Sequence, residues 1–385
     1  MMSFQLSDEQ TAIQNTVRRF AQEKLLPTYQ EREHQHGLDR TLVKEIGDMG
    51  MIGIDIPEEY GGLNLDCVTN GLVTEQLCRG DFSVGGVTIV GGLIGGILRD
   101  HASEAIKEEW LPGLVSGETL FSIALTEPHA GSDAVNLRLS AKKDGDDYIL
   151  NGEKTSITAA DTADVSIVFV RTGGEGAKGV TAIIVPMDLP GITRGHFNDL
   201  GGKHIGRGWI NFDGVRVPQS NVIGEEGKGF HVVMHGFDYS RILIGMQCLS
   251  AAWQSVDETW KYVSEREAFG RPIAKFQGVS FPLAEAETKL EAARLLCYKG
   301  LWLRDQGLPH TKEAAMCKWW PPLIAFEIVH QCILLHGHGG YGDEYPHQQR
   351  LRDLLGLQIG DGTAQIQKMV IAREVAGRVT VSHAD

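Results

Sequence analysis

DVSIVFVRT, Asp164–Thr172, and GVTAIIVPMD, Gly179–Asp188, are short β-branched runs bounded by Gly, Asp and Pro. Such runs read as strands of a small sheet, and GWINFDGVRVP, Gly208–Pro218, reads the same way. On either side the period changes. Leu6 to Phe20, Arg40 to Met49 and Gly71 to Gly80 carry helical patterns. From Phe230 onward long helices return, one with Val279, Leu283, Ala286, Leu290, Ala293 and Cys297 spaced four and three apart, a seam for packing against other helices. The expected fold is α+β in three parts: an N-terminal helical domain over 1–122, a middle β domain over 123–229 and a C-terminal helical domain over 230–385. This order is not an alternating βαβ plan, which argues against a nicotinamide-binding doubly wound domain. The glycine cluster GHGGYG, Gly337–Gly342, follows a helix, not a strand, and is a weak dinucleotide fingerprint.

Composition narrows the partners. The chain has 385 residues, 42% hydrophobic and 22% charged, which suits a soluble globular protein with an ample core. A net charge of −14 without Lys/Arg clusters argues against nucleic acid. Six scattered cysteines form no CxxC pair and no spacing with His that suggests a metal, so reduced thiols, no metal and a cytoplasmic location are expected. MMSFQLSDEQ lacks the apolar stretch of a signal peptide and leads into a helix, with Ser7 and Glu9–Gln10 as start signals. No apolar run is long enough to span a membrane.

Four motifs carry chemistry: LTEPHAGSD (Leu125–Asp133), NGEKTSIT (Asn151–Thr158), REAFGRPIAKFQ (Arg266–Gln277) and RDLLGLQIGDGTAQI (Arg352–Ile366). In this order and spacing they resemble the acyl-CoA dehydrogenase family, over nearly the whole chain from IDIPEEYGGLNLD to AREVAG. Within the family, KWWPPLIAFEIVHQCILLHGHGGYG and QIGDGTAQI look most similar to cyclohexane-1-carboxyl-CoA dehydrogenases. The resemblance implies a homotetramer, one non-covalent FAD per subunit, an acyl-CoA substrate and electron-transfer flavoprotein as electron acceptor.

It also implies roles for residues. Leu125 and Thr126 would bind the flavin pyrimidine edge, and Ser132 the FAD diphosphate or CoA region. Thr158 would face flavin N5, where a donor stabilises the charge arriving with the hydride. Ser156 stands where the family usually has a Trp lying against the flavin, so the cover of that face is open. Arg266 and Gln277, with Phe269 between them, would reach the FAD diphosphate and adenosine of a neighbouring subunit. Thr363 and Gln365 would contact FAD at a helix start. Arg241 of FDYSR, beginning at Phe237, would lie beneath the acyl end of the pocket. Leu334 and His338 replace the family's common Gln and Gly, so the adenosine contacts should differ. His336 and His338 read as positioned structural histidines.

The base remains. Some family members carry a Glu at the position of Ser240, and serine cannot do that work. The usual site is the residue before Gly-Thr, here Asp361, between Gly360 and Gly362. From the local sequence alone, Asp or Thr ahead of Ile366, Val370 and Ile371 would cap a helix. By resemblance, the Asp361 carboxylate takes the α-proton while its backbone N–H bonds the thioester oxygen. Asp is shorter than Glu and its neighbours are glycines, which would leave space for a ring acyl group. The run VGGVTIVGGLIGG, Val84–Gly96, would broaden the same cavity. A short- or branched-chain dehydrogenase and a related flavoprotein oxidase are the alternatives.

Overall fold

The computed structural model describes residues 5–380, so the outer ends of the 1–122 and 230–385 regions lie outside the described residues. Helices precede the strands and follow them. Asp8–Phe20, Arg40–Asp48, Cys67–Gly80 and Glu104–Ser116 lie before β1, and Gly229–Glu265, Gln277–Asp305, Thr311–His336, His347–Leu357 and Ala364–Ala376 come after the sheet. The strands are β1 (Phe121–Ala124), β2 (Ser140–Asp144), β3 (Asp147–Ile157), β4 (Val165–Arg171), β5 (Val180–Pro186), β6 (Ile192–His196), β7 (Gly208–Pro218) and β8 (Val222–Ile223). They form one sheet in the order β6-β7-β3-β2-β4-β5-β8, with β1 parallel to β4.

By its internal contacts the chain forms two compact units. One holds Met1–Glu33, Cys67–Gly86 and Arg241–Asp385; the other holds His34–Asp66 and Val87–Ser240. In the second unit β4 and β5 are buried along almost their whole length. Period-two alternation explains why. Val165, Ile167 and Phe169 enter one apolar cluster with Leu93, Ile97 and Phe237. Val168 and Val170 enter another with Leu150, Phe212 and Val217. A strand covered on both faces needs apolar residues at every position, and each such side chain contributes about 1.5–3 kcal/mol of burial.

In the first unit, Leu283, Ala286, Leu290, Ala293 and Cys297 of the Gln277–Asp305 helix are buried, as the seam spacing requires; Val279 is half-buried. The capping box at Ser7 is formed with Gln10. Several buried polar groups are paired: Tyr29 donates to Asp353 at 2.6 Å, Arg32 meets Asp81 at 2.7 Å, and Arg350 grips both oxygens of Glu258 at 2.6 and 2.9 Å. The six cysteines are buried and form no disulfide with one another. No helix among the described residues is long and apolar enough to cross a membrane.

His336 and His347 make the same unit acid-sensitive. His336 Nδ1 lies 2.9 Å from the Cys332 carbonyl, which can only accept, so Nδ1 carries the proton. Its Nε2 then accepts from His347 Nε2 across 3.4 Å, leaving His347 Nδ1 buried without a hydrogen-bond partner. His336 also stacks on Tyr262 at 4.2 Å between ring centroids. Burial, and then the nearby Arg350 cation, push the His347 imidazole down to about 3, against the pull of Glu258. A depressed folded-state value means that the unfolded chain takes up the proton first. Stability contributed by neutral His347 is therefore present above about pH 6.5, the ordinary histidine value, and is lost as pH falls toward 3. Urea midpoints should drop more steeply on acidification for the native protein than for His347→Gln, by up to about 1.4 kcal/mol per pH unit. Parallel acid limbs would contradict this.

Candidate active site

On the β side, backbone pairing and one buried ion pair assemble the predicted contacts. Thr155 N–H donates to the Thr126 carbonyl at 2.9 Å, and Lys154 Nζ donates to the Leu125 carbonyl at 3.0 Å. Leu125 and Thr126 thus lie beside the end of β3. Glu127, buried, accepts from the Arg138 and Leu139 N–H groups at 2.6 and 2.9 Å and from Lys154 at 2.9 Å. Burial holds the Lys154 ammonium down to about 8, and the Glu127 carboxylate works against that shift. This pair locks the loop to the strand. Sequence reasoning missed it, although both residues sit inside the quoted motifs.

Beyond Lys154 the strand is irregular. The β3–β7 register shifts between Thr155 and Ile157, and Ser156 takes the left-handed value φ 61°. A bulge of this kind re-aims side chains at a sheet edge. Ile157 turns into the core, and Ser156 and Thr158 are exposed on either side of it. Ser156 Oγ accepts from the Arg207 guanidinium at 3.0 Å. Arg207 is itself anchored by Asp199 at 2.6 Å and lies over the Phe197 ring at 5.3 Å. A planar cation therefore stands beside the residue that replaces the family's Trp. Ser132 is exposed in its loop.

In the helical unit, Asp361 occupies a loop closed by carbonyl contacts. It has φ 54°, a left-handed conformation that Asp tolerates better than most residues, and Gly362 follows at φ 94°. The Asp361 carbonyl accepts from Arg241 Nε at 3.4 Å and from Gln367 Nε2 at 3.2 Å. Lys318 Nζ donates to the Leu357 carbonyl at 2.6 Å and to that of Gly362 at 3.4 Å. Asp361 does not cap the following helix: Thr363 does, its hydroxyl accepting from Ile366 N–H. The Asp361 carboxyl is raised above the usual carboxylate range by burial, with the Lys318 and Arg241 cations pulling the other way. Lys318 and Gln367 were not singled out in the sequence. A lone Lys in the apolar run AAMCKWWPPL was the available signal.

The remaining candidates separate. Arg266 and Gln277 are exposed; Arg266 leads into a small hairpin of β9 (Glu267–Ala268) and β10 (Arg271–Pro272), and Gln277 opens the helix after it. The hairpin tip, Phe269–Gly270, has positive φ at both residues, the signature of a tight hairpin turn. Phe269 is 93% exposed and touches Phe276 edge-on at 6.0 Å. Gln365 is exposed, whereas Phe237 belongs to the apolar core of its unit and Arg241 is buried. His336 is in the buried stack already described, and Leu334 and His338 are exposed.

Three glycines of Val84–Gly96 serve close packing, while Gly86 and Gly96 have room, with nothing nearer than 3.4 and 4.0 Å. A Cβ on Gly91 would meet the Ile52 carbonyl at 2.1 Å, one on Gly95 the Ile56 side chain at 2.8 Å, and one on Gly85 the Cys78 sulfur at 2.4 Å. These glycines are there for close packing. Gly362 is required by its left-handed φ of 94°, but Gly360 has room, with nothing nearer than 3.6 Å.

FAD, implied by the resemblance, fits these residues. Ser156 and Thr158 offer exposed hydroxyls near the Leu125–Thr126 backbone, and Arg266 presents an exposed guanidinium suited to a diphosphate.

Comparisons with known proteins match the helix–sheet–helix order of the chain. The acyl-CoA dehydrogenase N-terminal domain matches residues 7–118, the middle domain 122–215 and the C-terminal domain 227–376. The mitochondrial short-chain specific acyl-CoA dehydrogenase of Rattus norvegicus is 36% identical over 374 residues, 96% of this chain and 90% of the relative. Butyryl-CoA dehydrogenase from Megasphaera elsdenii superposes with a TM-score of 0.94 at 35% identity, covering 97% of this chain and all of that one. A chain solved in work on the electron transferring flavoprotein of Acidaminococcus fermentans and flavin-based electron bifurcation superposes with a TM-score of 0.95 at 35% identity over the same shares. With its helix–sheet–helix order and all three domains matched in sequence, the chain belongs to the acyl-CoA dehydrogenase family of FAD-dependent oxidoreductases.

Proposed function

We propose that this protein removes the α- and β-hydrogens of a short acyl-CoA thioester, with Asp361 as the base. The observation that carries this reading is the state of that carboxylate. Its backbone is tied at the carbonyl by Arg241 and Gln367. No hydrogen bond engages its oxygens among the described residues, and two cations face it. A carboxylate held in place yet free at its oxygens is poised to accept a proton from carbon. The Asp361 N–H would donate to the thioester oxygen and steady the charge that develops there. When bound, FAD supplies the hydride acceptor.

Thr158 would donate toward N5, and Leu125 and Thr126 would meet the pyrimidine edge. The Arg207 guanidinium, beside Ser156, would cover the face that a Trp covers elsewhere. Ser132, Phe237, Gly360 and Gly362 would bound the CoA and acyl ends, and Thr363 and Gln365 would contact FAD. The exposed hairpin suits a homotetramer in which Arg266, Phe269 and Gln277 reach a neighbouring subunit's FAD. Arg266→Ala should then weaken FAD retention and subunit association together, read by released flavin and by sedimentation; unchanged values in both would remove this role. Electron-transfer flavoprotein is the proposed acceptor, supported by the similarity to the chain studied with that of Acidaminococcus fermentans. A cytoplasmic location is proposed from the six buried cysteines, which form no disulfide with one another.

The finer reading is a ring acyl group, cyclohexane-1-carboxyl-CoA oxidised to cyclohex-1-ene-1-carboxyl-CoA. It is supported by the shorter Asp361 and the open space at Gly360; the closely packed Gly85, Gly91 and Gly95 give it no support. Its competitor is a short straight chain, favoured by similarity to the short-chain and butyryl-CoA enzymes. Relative kcat/KM decides. The ring thioester should exceed butyryl-, octanoyl- and palmitoyl-CoA, and Asp361→Glu should move preference toward straight chains. A tenfold preference of the native enzyme for a straight chain, about 1.4 kcal/mol, would reject the ring.

A further inference from the structure

We propose that Lys318 is a positioning residue for the base: its ammonium group holds the loop on both sides of Asp361 by the carbonyls, fixing the carboxylate in place without pairing with it. This rests on the reading of Asp361 as the base. Lys318 comes from the middle of the Thr311–His336 helix and is 1% exposed. A buried ammonium needs both hydrogen-bond acceptors and a counter-charge. The acceptors are the Leu357 carbonyl at 2.6 Å and the Gly362 carbonyl at 3.4 Å. Leu357 ends its helix, where carbonyls lack intrahelical partners and a cation is favoured. The two carbonyls bracket Asp361 in sequence, so one ammonium group closes the loop across it.

The counter-charge is Asp361. Cys248 also faces Lys318, but burial pushes its thiol far up and keeps it neutral. Arg241, from the Gly229–Glu265 helix, is the other charged group facing Asp361, and Gln367, from the Ala364–Ala376 helix, is neutral. The arrangement has a chemical consequence. A direct Lys–Asp ion pair would occupy the carboxylate oxygens and lower their basicity. Because the carbonyls engage the ammonium instead, its charge opposes through space the rise that burial causes, while the carboxylate oxygens stay available.

Substitutions at Lys318 separate charge from hydrogen bonding. Lys318→Gln keeps a donor without charge, Lys318→Met keeps neither, and Lys318→Arg keeps charge. In anaerobic flavin reduction by acyl-CoA, measured against pH, Gln and Met should move the acid limb to higher pH by about one unit or more. Arg should leave that limb near its native place. Met should also have a plateau rate at least threefold below that of Gln, since the loop loses its clasp. Infrared difference spectra of each variant against the same variant carrying Asp361→Asn read the same carboxylate ionisation without turnover. Flavin content and unfolding temperature identify any variant that fails to fold, and the Gln variant alone suffices to test the charge. Native acid limbs in Gln and Met, with Asp361→Asn inactive, would overturn the role of Lys318 and leave the base in place. Full activity in Asp361→Asn would instead overturn the base itself, and with it this proposal.

Discussion

Asp361→Asn is expected to stay folded and to hold FAD, while flavin reduction by an acyl-CoA substrate falls by about 10²–10⁴-fold. Every local contact argues for selectivity. Asn accepts the left-handed φ of 54° as readily as Asp does. The contacts from Arg241 and Gln367 go to the backbone carbonyl, which the substitution keeps. The native carboxylate oxygens hold no hydrogen bond among the described residues, so the amide breaks none. What disappears is basicity. In the native protein the rate should rise with pH as Asp361 ionises, with a midpoint above the usual carboxylate range because burial opposes the charge. A variant that reduces its flavin at the native rate would place the base elsewhere.

Lys154→Met should produce the largest loss of stability. Lys154 and Glu127 are 0% and 2% exposed at their side chains and meet at 2.9 Å. Removing one partner strands the other, at a cost of about 3–5 kcal/mol, a large share of a typical 5–15 kcal/mol total. After the change, Glu127 would keep the Arg138 and Leu139 N–H groups but lose its cation. The Leu125 carbonyl would lose its donor as well, so FAD retention should fall together with the urea midpoint. Lys154→Arg should do nearly as badly, because the larger guanidinium has no room in a fully buried site. A loss below about 1 kcal/mol would mean that the pair is not what fixes the loop.

The class of fold was legible because period carries it. Alternating residues of β4 feed two apolar clusters, which demands the unbroken β-branched run seen in the sequence. The grouping of Met1–Glu33 and Cys67–Gly86 with Arg241–Asp385 was not legible, since tertiary contacts join segments far apart in sequence. At the site, Asp361 could be named from its motif, but not that Thr363, two residues on, is the cap. Side-chain direction in a left-handed turn has no sequence period. Lys318 escaped for a related reason: on a helix of apolar residues, nothing local says that its ammonium will find the carbonyls of a loop some forty residues later. The close packing at Gly85, Gly91 and Gly95 was not legible, because a small residue reads alike whether it widens a cavity or admits a neighbouring group.

The central claim is tested most directly by mixing FAD-loaded protein anaerobically with short acyl-CoA thioesters, cyclohexane-1-carboxyl-CoA among them, and following flavin absorbance and thioester mass together. The account predicts that the flavin bleaches and that, in equal measure, the thioester loses a pair of hydrogens to become the α,β-enoyl-CoA, with neither change in Asp361→Asn. A flavin that stays oxidised with every thioester, or one that bleaches equally well in Asp361→Asn, would contradict it.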